Sequence, residues 1–240
     1  MGKGVTSEVF IADINEAVGR QTVDELQRRY GKDSCRFMVV DITQASKFQE
    51  AFQAAVIECG HIDLMVNNAG RFHEFDWEPV IDLNFICVVR GCELAIQHMS
   101  KKNGGRGGRI INTCSDLGTK VFCDLPVYSA TKHAVRAFTS NKAEQANLEL
   151  TGVQLACICP PATDTNMLRT ISDSVAPHPD RLREIIATEG TCTPTCVSEG
   201  FLKLLRMRKM NGALLMVKKT NSYFIKMEAV NLGEDCTPSQ

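Results

Sequence analysis

An α/β fold built on a single doubly wound parallel sheet is what this sequence predicts, and three observations carry the prediction. Short apolar runs alternate with stretches of helical periodicity along nearly the whole chain, an order that calls for right-handed crossovers and a sheet covered on both faces. Polar residues follow the first four runs in turn, Asp13, Asp41, Asn67-Asn68 and Ser115, and such sheets bind ligands outside the carboxyl ends of their strands. The chain has 240 residues, enough for one domain with a filled core, and no repeat or low-complexity linker divides it.

Residues 7–12 form the first expected strand, ending at Asp13. Asn15 is placed to cap the helix that follows, Val18, Val23 and Leu26 give it a partial apolar face, and Gly31 closes it. Residues 35–40 are a second strand ending at Asp41. Phe48, Phe52, Ala55, Val56 and Cys59 then recur at helical spacing before Gly60. A third strand, 62–66, runs into Asn67-Asn68-Ala69-Gly70, and a long helix spans 80–99 with Asn84 inside it. The glycine-rich stretch 103–108 precedes a strand, so it is expected as a flexible connector and not as a phosphate cradle. Residues 109–113 are the fourth strand and deliver Ser115. The helix holding Tyr128 starts at Pro126, where a missing N–H costs nothing, and ends before Gly152. A fifth strand at 153–158 closes on Cys159-Pro160-Pro161. Short helices and loops fill 162–195, a last helix spans 197–207 and a last strand 213–217. The expected domain is 1–230, and the polar tail 231–240 is expected to be mobile.

The formal net charge is -1, with no basic stripe to hold nucleic acid. No apolar run has membrane-spanning length, and the first residues lack a signal-peptide core, so a cytoplasmic protein is expected. The eleven cysteines are an odd set, expected as reduced thiols. Cys157-x-Cys159 and Cys192-x-x-x-Cys196 have no partner pairs at zinc spacing, and no metal site is expected.

The residues with the most chemistry in them are Ser115, Tyr128 and Lys132. Tyr and Lys four apart share one helix face. A phenol, with a reference pKa of about 10, is a poor base at neutral pH, and a cation one turn away is expected to lower that pKa. Asp13 ends a strand where a carboxylate accepts both hydroxyls of an adenosine ribose and repels a 2′-phosphate, which favours NAD over NADP. Singly, each residue has a structural reading. Asp13 and Asp41 are acids at helix starts, Asn84 a satisfied buried amide, Ser115 a turn residue and Thr165 a cap.

Taken together, Asn67-Asn68-Ala69-Gly70, Asn84, Ser115, Tyr128-x-x-x-Lys132 and Pro160 resemble the short-chain dehydrogenase/reductase pattern, in order. Segments 99–112, 126–133 and 211–213 are similar to the NAD-dependent branch that acts on a hydroxylated lipid such as a prostaglandin. The resemblance implies a Rossmann-like sheet, NAD as cofactor and oxidation of a secondary alcohol to the ketone. It makes Tyr128 the general base, and has Lys132 tune the phenol and hold the nicotinamide ribose. Ser115 would bind the reacting oxygen, and Asn84 a water that links Lys132 to solvent. Asp13 and Ile14 would flank the adenosine ribose, Val40, Asp41 and Ile42 the adenine, and Asn68 would lie along the cofactor. Thr163, Asp164 and Thr165 would meet its nicotinamide end. It also implies a homodimer through the helices of Asn84 and Tyr128.

The sequence departs from the pattern in places. The family's opening strand and Thr-Gly-x-x-x-Gly-x-Gly loop have no counterpart here, so the chain reads as N-terminally truncated. Its first strand corresponds to the family's second, and a gap is expected between the first and third strands. Without the loop's helix N-terminus to hold the diphosphate, weak or no dehydrogenase activity is expected. Leu125 stands where the lipid-oxidising branch has a glutamine near the substrate hydroxyl, and a leucine makes no hydrogen bond, so a different alcohol or ketone is a second expected substrate. A third reading is a non-catalytic partner of other subunits.

Overall fold

The structure, a computed structural model, describes residues 8–220 and 222–225. The tail 231–240 lies outside the described residues. Strands β1 (Val9–Asp13) and β2 (Cys35–Val39) pair in parallel, Val9 opposite Cys35 and Asp13 opposite Val39. Between them runs α1 (Glu16–Tyr30), whose first turn is capped by the Asn15 side chain accepting from the Val18 N–H. Helix α2 (Ala45–Cys59) buries Phe48, Phe52 and Ala55 and ends at Gly60, whose φ of 77° suits glycine.

A second sheet runs in the order β3 (Leu64–Asn67), β4 (Gly108–Thr113), β5 (Val153–Cys159), β6 (Leu214–Met216) and β7 (Tyr223–Ile225). The first four are parallel, and β7 pairs antiparallel at the edge. Its three residues are too few to give a periodic signal, which is why the strand was not anticipated. Strand β5 lies at the centre and is buried almost throughout. Alternate residues feed two cores. Ile110, Leu155 and Leu214 pack with Val88, Cys92, Ala95 and Val135. Ile111, Ala156, Ile158 and Leu215 pack with Leu204 and Met210. Each large side chain so buried contributes about 1.5–3 kcal/mol.

Among the described residues β1 and β3 do not pair, in line with the expected gap. The two sheets are joined through α4 (Cys87–Met99): the Ile42 carbonyl accepts from the Arg90 guanidinium at 3.2 Å and the Cys87 thiol at 3.3 Å.

Three helical expectations change. The segment expected at 80–99 begins earlier, as α3 (Trp77–Ile81), and passes through a π-turn, Asp82–Ile86, into α4. The helix expected to run from Pro126 to before Gly152 breaks at Ala143-Glu144 into α5 (Pro126–Lys142) and α6 (Gln145–Thr151). The last helix, α9 (Pro194–Arg206), starts three residues before the expected 197, with Thr193 as its cap. The stretch 162–195 holds α7 (Asn166–Arg169) and α8 (Pro179–Glu189). The glycine-rich stretch 103–108 is a tied turn and not a flexible connector. Gly105 and Gly107 donate to the carbonyls of Ser100 and Met99 at 2.9 and 2.7 Å. A Cβ on Gly105 would sit 2.4 Å from the Met99 carbonyl oxygen, so glycine is there to let backbone meet backbone.

Candidate active site

Ser115, Tyr128 and Lys132 come together beyond the end of β4. Ser115 starts the short 3-10 turn Asp116–Gly118, where its Oγ accepts from the Leu117 N–H at 3.2 Å. That turn lies directly on α5, because a Cβ on Gly118 would fall 2.8 Å from the Lys132 carbonyl oxygen and 2.5 Å from the Cys114 sulfur. The Ser115 hydroxyl donates to the Asp116 carboxylate at 3.2 Å and stands near enough to the Tyr128 phenol to favour the phenolate. The Tyr128 ring meets Phe72 edge-on, with centroids 6.2 Å apart.

The expected tuning of the phenol by lysine is corrected. Burial dominates and pushes the Tyr128 phenol up, with the Ser115 hydroxyl pulling the other way. The Lys132 ammonium lies 5.6 Å from the Tyr128 ring centroid and donates to the Thr113 carbonyl at 3.0 Å. It is itself buried, and burial pushes its pKa down. With one protein acceptor among the described residues for its three donors, Lys132 has capacity left for a ligand's hydroxyls.

Asn84 is fully buried in the π-turn. Its Oδ1 accepts from the Arg71 N–H at 2.9 Å, and its Nδ2 donates to the Arg71 carbonyl at 2.8 Å and Thr131 Oγ1 at 3.1 Å. Both donors of the side chain are thus committed to the protein, while its oxygen, which accepts one bond, can accept a second. Asn84 fixes the loop after Gly70, where a Cβ would lie 3.2 Å from Asn84 Oδ1 and 3.5 Å from Lys132 Nζ.

The expected cofactor residues lie at strand ends, several of them engaged locally. Asp13 accepts from the Asn15 N–H at 2.8 Å, and Ile14 is exposed. Val40 is buried, its N–H on the Asp13 carbonyl. Asp41 accepts from the Thr43 N–H and hydroxyl and from the Gln44 amide, and the Thr43 hydroxyl leads the bonds that hold its carboxyl below the usual range. Ile42 makes the α4 joint. Asn68 accepts from the Thr113 hydroxyl at 3.1 Å. Thr163, Asp164 and Thr165 follow β5. The Asp164 N–H donates to the Cys192 carbonyl, its carboxylate meets Arg169, and the Thr165 hydroxyl donates to the Thr163 carbonyl.

Leu125 is buried in an apolar cluster with Phe72, Ile171, Ala176 and Leu182, against which Tyr128 and Met167 pack. Two residues of this site escaped the sequence reading. Gly118 had a signal, a glycine three positions after the serine. Glu74 had none, because its partners, the N–H groups of Val127 and Tyr128, are more than fifty positions away.

A Rossmann-like sheet with a serine, tyrosine and lysine converging beyond one strand end defines a class of oxidoreductase scaffold, and the comparisons agree. The family described as short chain dehydrogenase matches residues 4–176, and the chain belongs to that family. Among individual relatives it is 31% identical over 216 residues to the 15-hydroxyprostaglandin dehydrogenase [NAD(+)] of Macaca fascicularis and that of Homo sapiens, covering 88% of this chain and 81% of each relative. In fold it is similar to a short chain dehydrogenase/reductase from Burkholderia phymatum solved in complex with NAD, with a TM-score of 0.74, 21% identity, and 87% of this chain and 79% of that one covered. Among the described residues no helix is long and apolar enough to cross a membrane.

Proposed function

We propose that this chain is an NAD-dependent dehydrogenase that oxidises a secondary alcohol on an apolar, lipid-like substrate to the ketone. One observation carries the reading: the Tyr128 phenol sits beside the Ser115 hydroxyl and borders the apolar cluster of Phe72, Leu125 and Ile171. The names of the prostaglandin-oxidising relatives support it. When bound, NAD supplies the hydride acceptor. Ser115 holds the alcohol oxygen, Tyr128 takes its proton, and Lys132 spends its free donors on the nicotinamide ribose. Asn84 keeps Gly70 and Arg71 in place against Lys132. At the other end, Asp13, Ile14, Val40, Asp41 and Ile42 would receive adenosine, with Asn68 and 163–165 lining the path between.

The fit to NAD is uneven. Lys132 suits the ribose, whereas among the described residues no strand passes through a glycine-rich turn into a helix, the cradle a diphosphate prefers. We also assign the protein to the cytoplasm, and a homodimer to the face of Phe85, Ala134, Ala137 and Phe138, which forms a shallow groove. Sedimentation at micromolar concentration should give a dimer, and a monomer throughout would remove that assignment.

The decisive experiment is a thermal-shift titration with NAD followed by turnover of a hydroxylated fatty acid. A logarithmic rise in Tm is expected at millimolar NAD. Tyr128→Phe should keep that rise and lose about 10²–10⁴-fold in turnover. No rise would favour the non-catalytic reading, and undiminished turnover by the variant would remove Tyr128 as the base.

A further inference from the structure

We propose that Glu74 is a positioning residue for Tyr128: its carboxylate clamps the first turn of α5 and fixes where the phenol stands. The proposal rests on the dehydrogenase reading for its catalytic meaning and on the hydrogen bonds alone for its geometry.

A helix begins with backbone N–H groups that have no partner inside it. In α5 all of them are accounted for. Pro126 has no N–H, and Ser129 donates to the Leu125 carbonyl at 2.9 Å. The two between, Val127 and Tyr128, donate to the two oxygens of the Glu74 carboxylate at 2.8 and 3.0 Å. The cap position itself, Leu125, offers no side-chain acceptor. The cap therefore comes from a residue distant in sequence, and one of the two amides it holds belongs to the tyrosine itself. Both bonds are charge-assisted, and the negative charge lies at the positive end of a helix of 17 residues.

Glu74 is almost entirely buried, and its backbone is held as firmly as its side chain. Its N–H donates to the Val175 carbonyl at 2.8 Å. The same short loop carries Phe72, edge-on to the Tyr128 ring, and Arg71, both of whose backbone groups are bound by Asn84. Glu74 thus joins three parts of the site: the loop fixed near Lys132, the first turn carrying the phenol, and the segment before α8 that contributes Val175 to the apolar cluster. A shift of the α5 first turn would move the phenol off Ser115, and misplacement of a reacting group costs rate more than binding.

The test uses the full chain and amide hydrogen exchange resolved by residue, with Val135 and Thr139 of the same helix as the internal reference. Glu74→Ala is expected to speed exchange at Val127 and Tyr128 about tenfold or more relative to that reference. Glu74→Gln, which keeps one carbonyl acceptor, should fall between. An unchanged ratio in Glu74→Ala overturns the clamp. Should that variant not fold, Glu74→Gln serves in its place with the same two outcomes. In turnover, kcat should fall from wild type through Gln to Ala with KM within about twofold, and a raised KM at undiminished kcat overturns the positioning role. Exchange needs no turnover, so a wild-type chain that never bound NAD would end the dehydrogenase reading while the clamp stood or fell on the amide ratio.

Discussion

Tyr128, the base of the proposed reaction, stands in surroundings that work against it. Burial raises its pKa, the Ser115 hydroxyl lowers it by less, and Lys132 spends its charge on the Thr113 carbonyl. The sign of the pH dependence follows. Oxidation needs the phenolate, and the fraction in that form grows tenfold per pH unit below the pKa. We expect kcat/KM for alcohol oxidation to climb from pH 6 to 9, approaching that slope, while ketone reduction, which needs the phenol, falls or stays level. A pH profile of both directions checks this, and an oxidation rate falling with pH would contradict the assignment. The tyrosine and lysine were legible in the sequence, because four residues on a helix is a fixed geometry. Which of them the local field favours was not, because that depends on depth in the protein and on a carbonyl from another strand.

Among the elements, the helix that carries Asn84 owes its form to contacts on both sides. The π-turn Asp82–Ile86 sets Asn84 against Arg71 and Thr131, and one turn later Gly91 lets α4 come down on β3. A Cβ on Gly91 would lie 2.2 Å from Asn67 Oδ1 and 3.2 Å from the Met65 methyl. Asn67 is itself bonded to Asn112 at 2.8 Å, and Asn112 to Thr139 at 2.9 Å, so it has little room to yield. Gly91→Ala should cost about 1–3 kcal/mol, read as a shift in urea midpoint. A neutral or stabilising result would mean that the helix and strand stand further apart than described. Periodicity located this helix but gave no sign of its π-turn, which spans only five residues. The break between α5 and α6 was equally silent, with no proline or glycine at Ala143-Glu144 to announce it.

At the scale of the whole molecule, the two sheets meet at α2 and α4. Phe52 of α2 packs in the core of the larger sheet, and Arg90 and Cys87 of α4 hold the Ile42 carbonyl just beyond β2. Arg90→Ala should cost about 1–2 kcal/mol, and the loss should be unevenly spread. Amide exchange should accelerate in β1 and β2 while β4 and β5, in the centre of the larger sheet, keep their protection. Uniform acceleration would indicate that the two sheets open as one unit. The expected adenosine residues end or follow the strands of the smaller pair, while Ser115, Tyr128 and Lys132 lie beyond the larger sheet, so on the proposed reading this joint would govern whether both ends of NAD are met at once.

Alone, the sequence determined the alternation of strands and helices, the polar residues at the strand ends and the Tyr128–Lys132 pair, because these are set by periods of two and 3.6 residues and by turn chemistry that acts over a few positions. It likewise led to the expectation that β1 and β3 would not pair, as among the described residues they do not. Only the tertiary structure decided that Glu74 caps the tyrosine's helix, that Asn84 holds a loop, that Gly105 and Gly118 are sites of close backbone approach, and that burial governs the phenol. Each of these depends on groups far apart in the chain meeting at hydrogen-bond or van der Waals distance, and local sequence carries no record of such meetings.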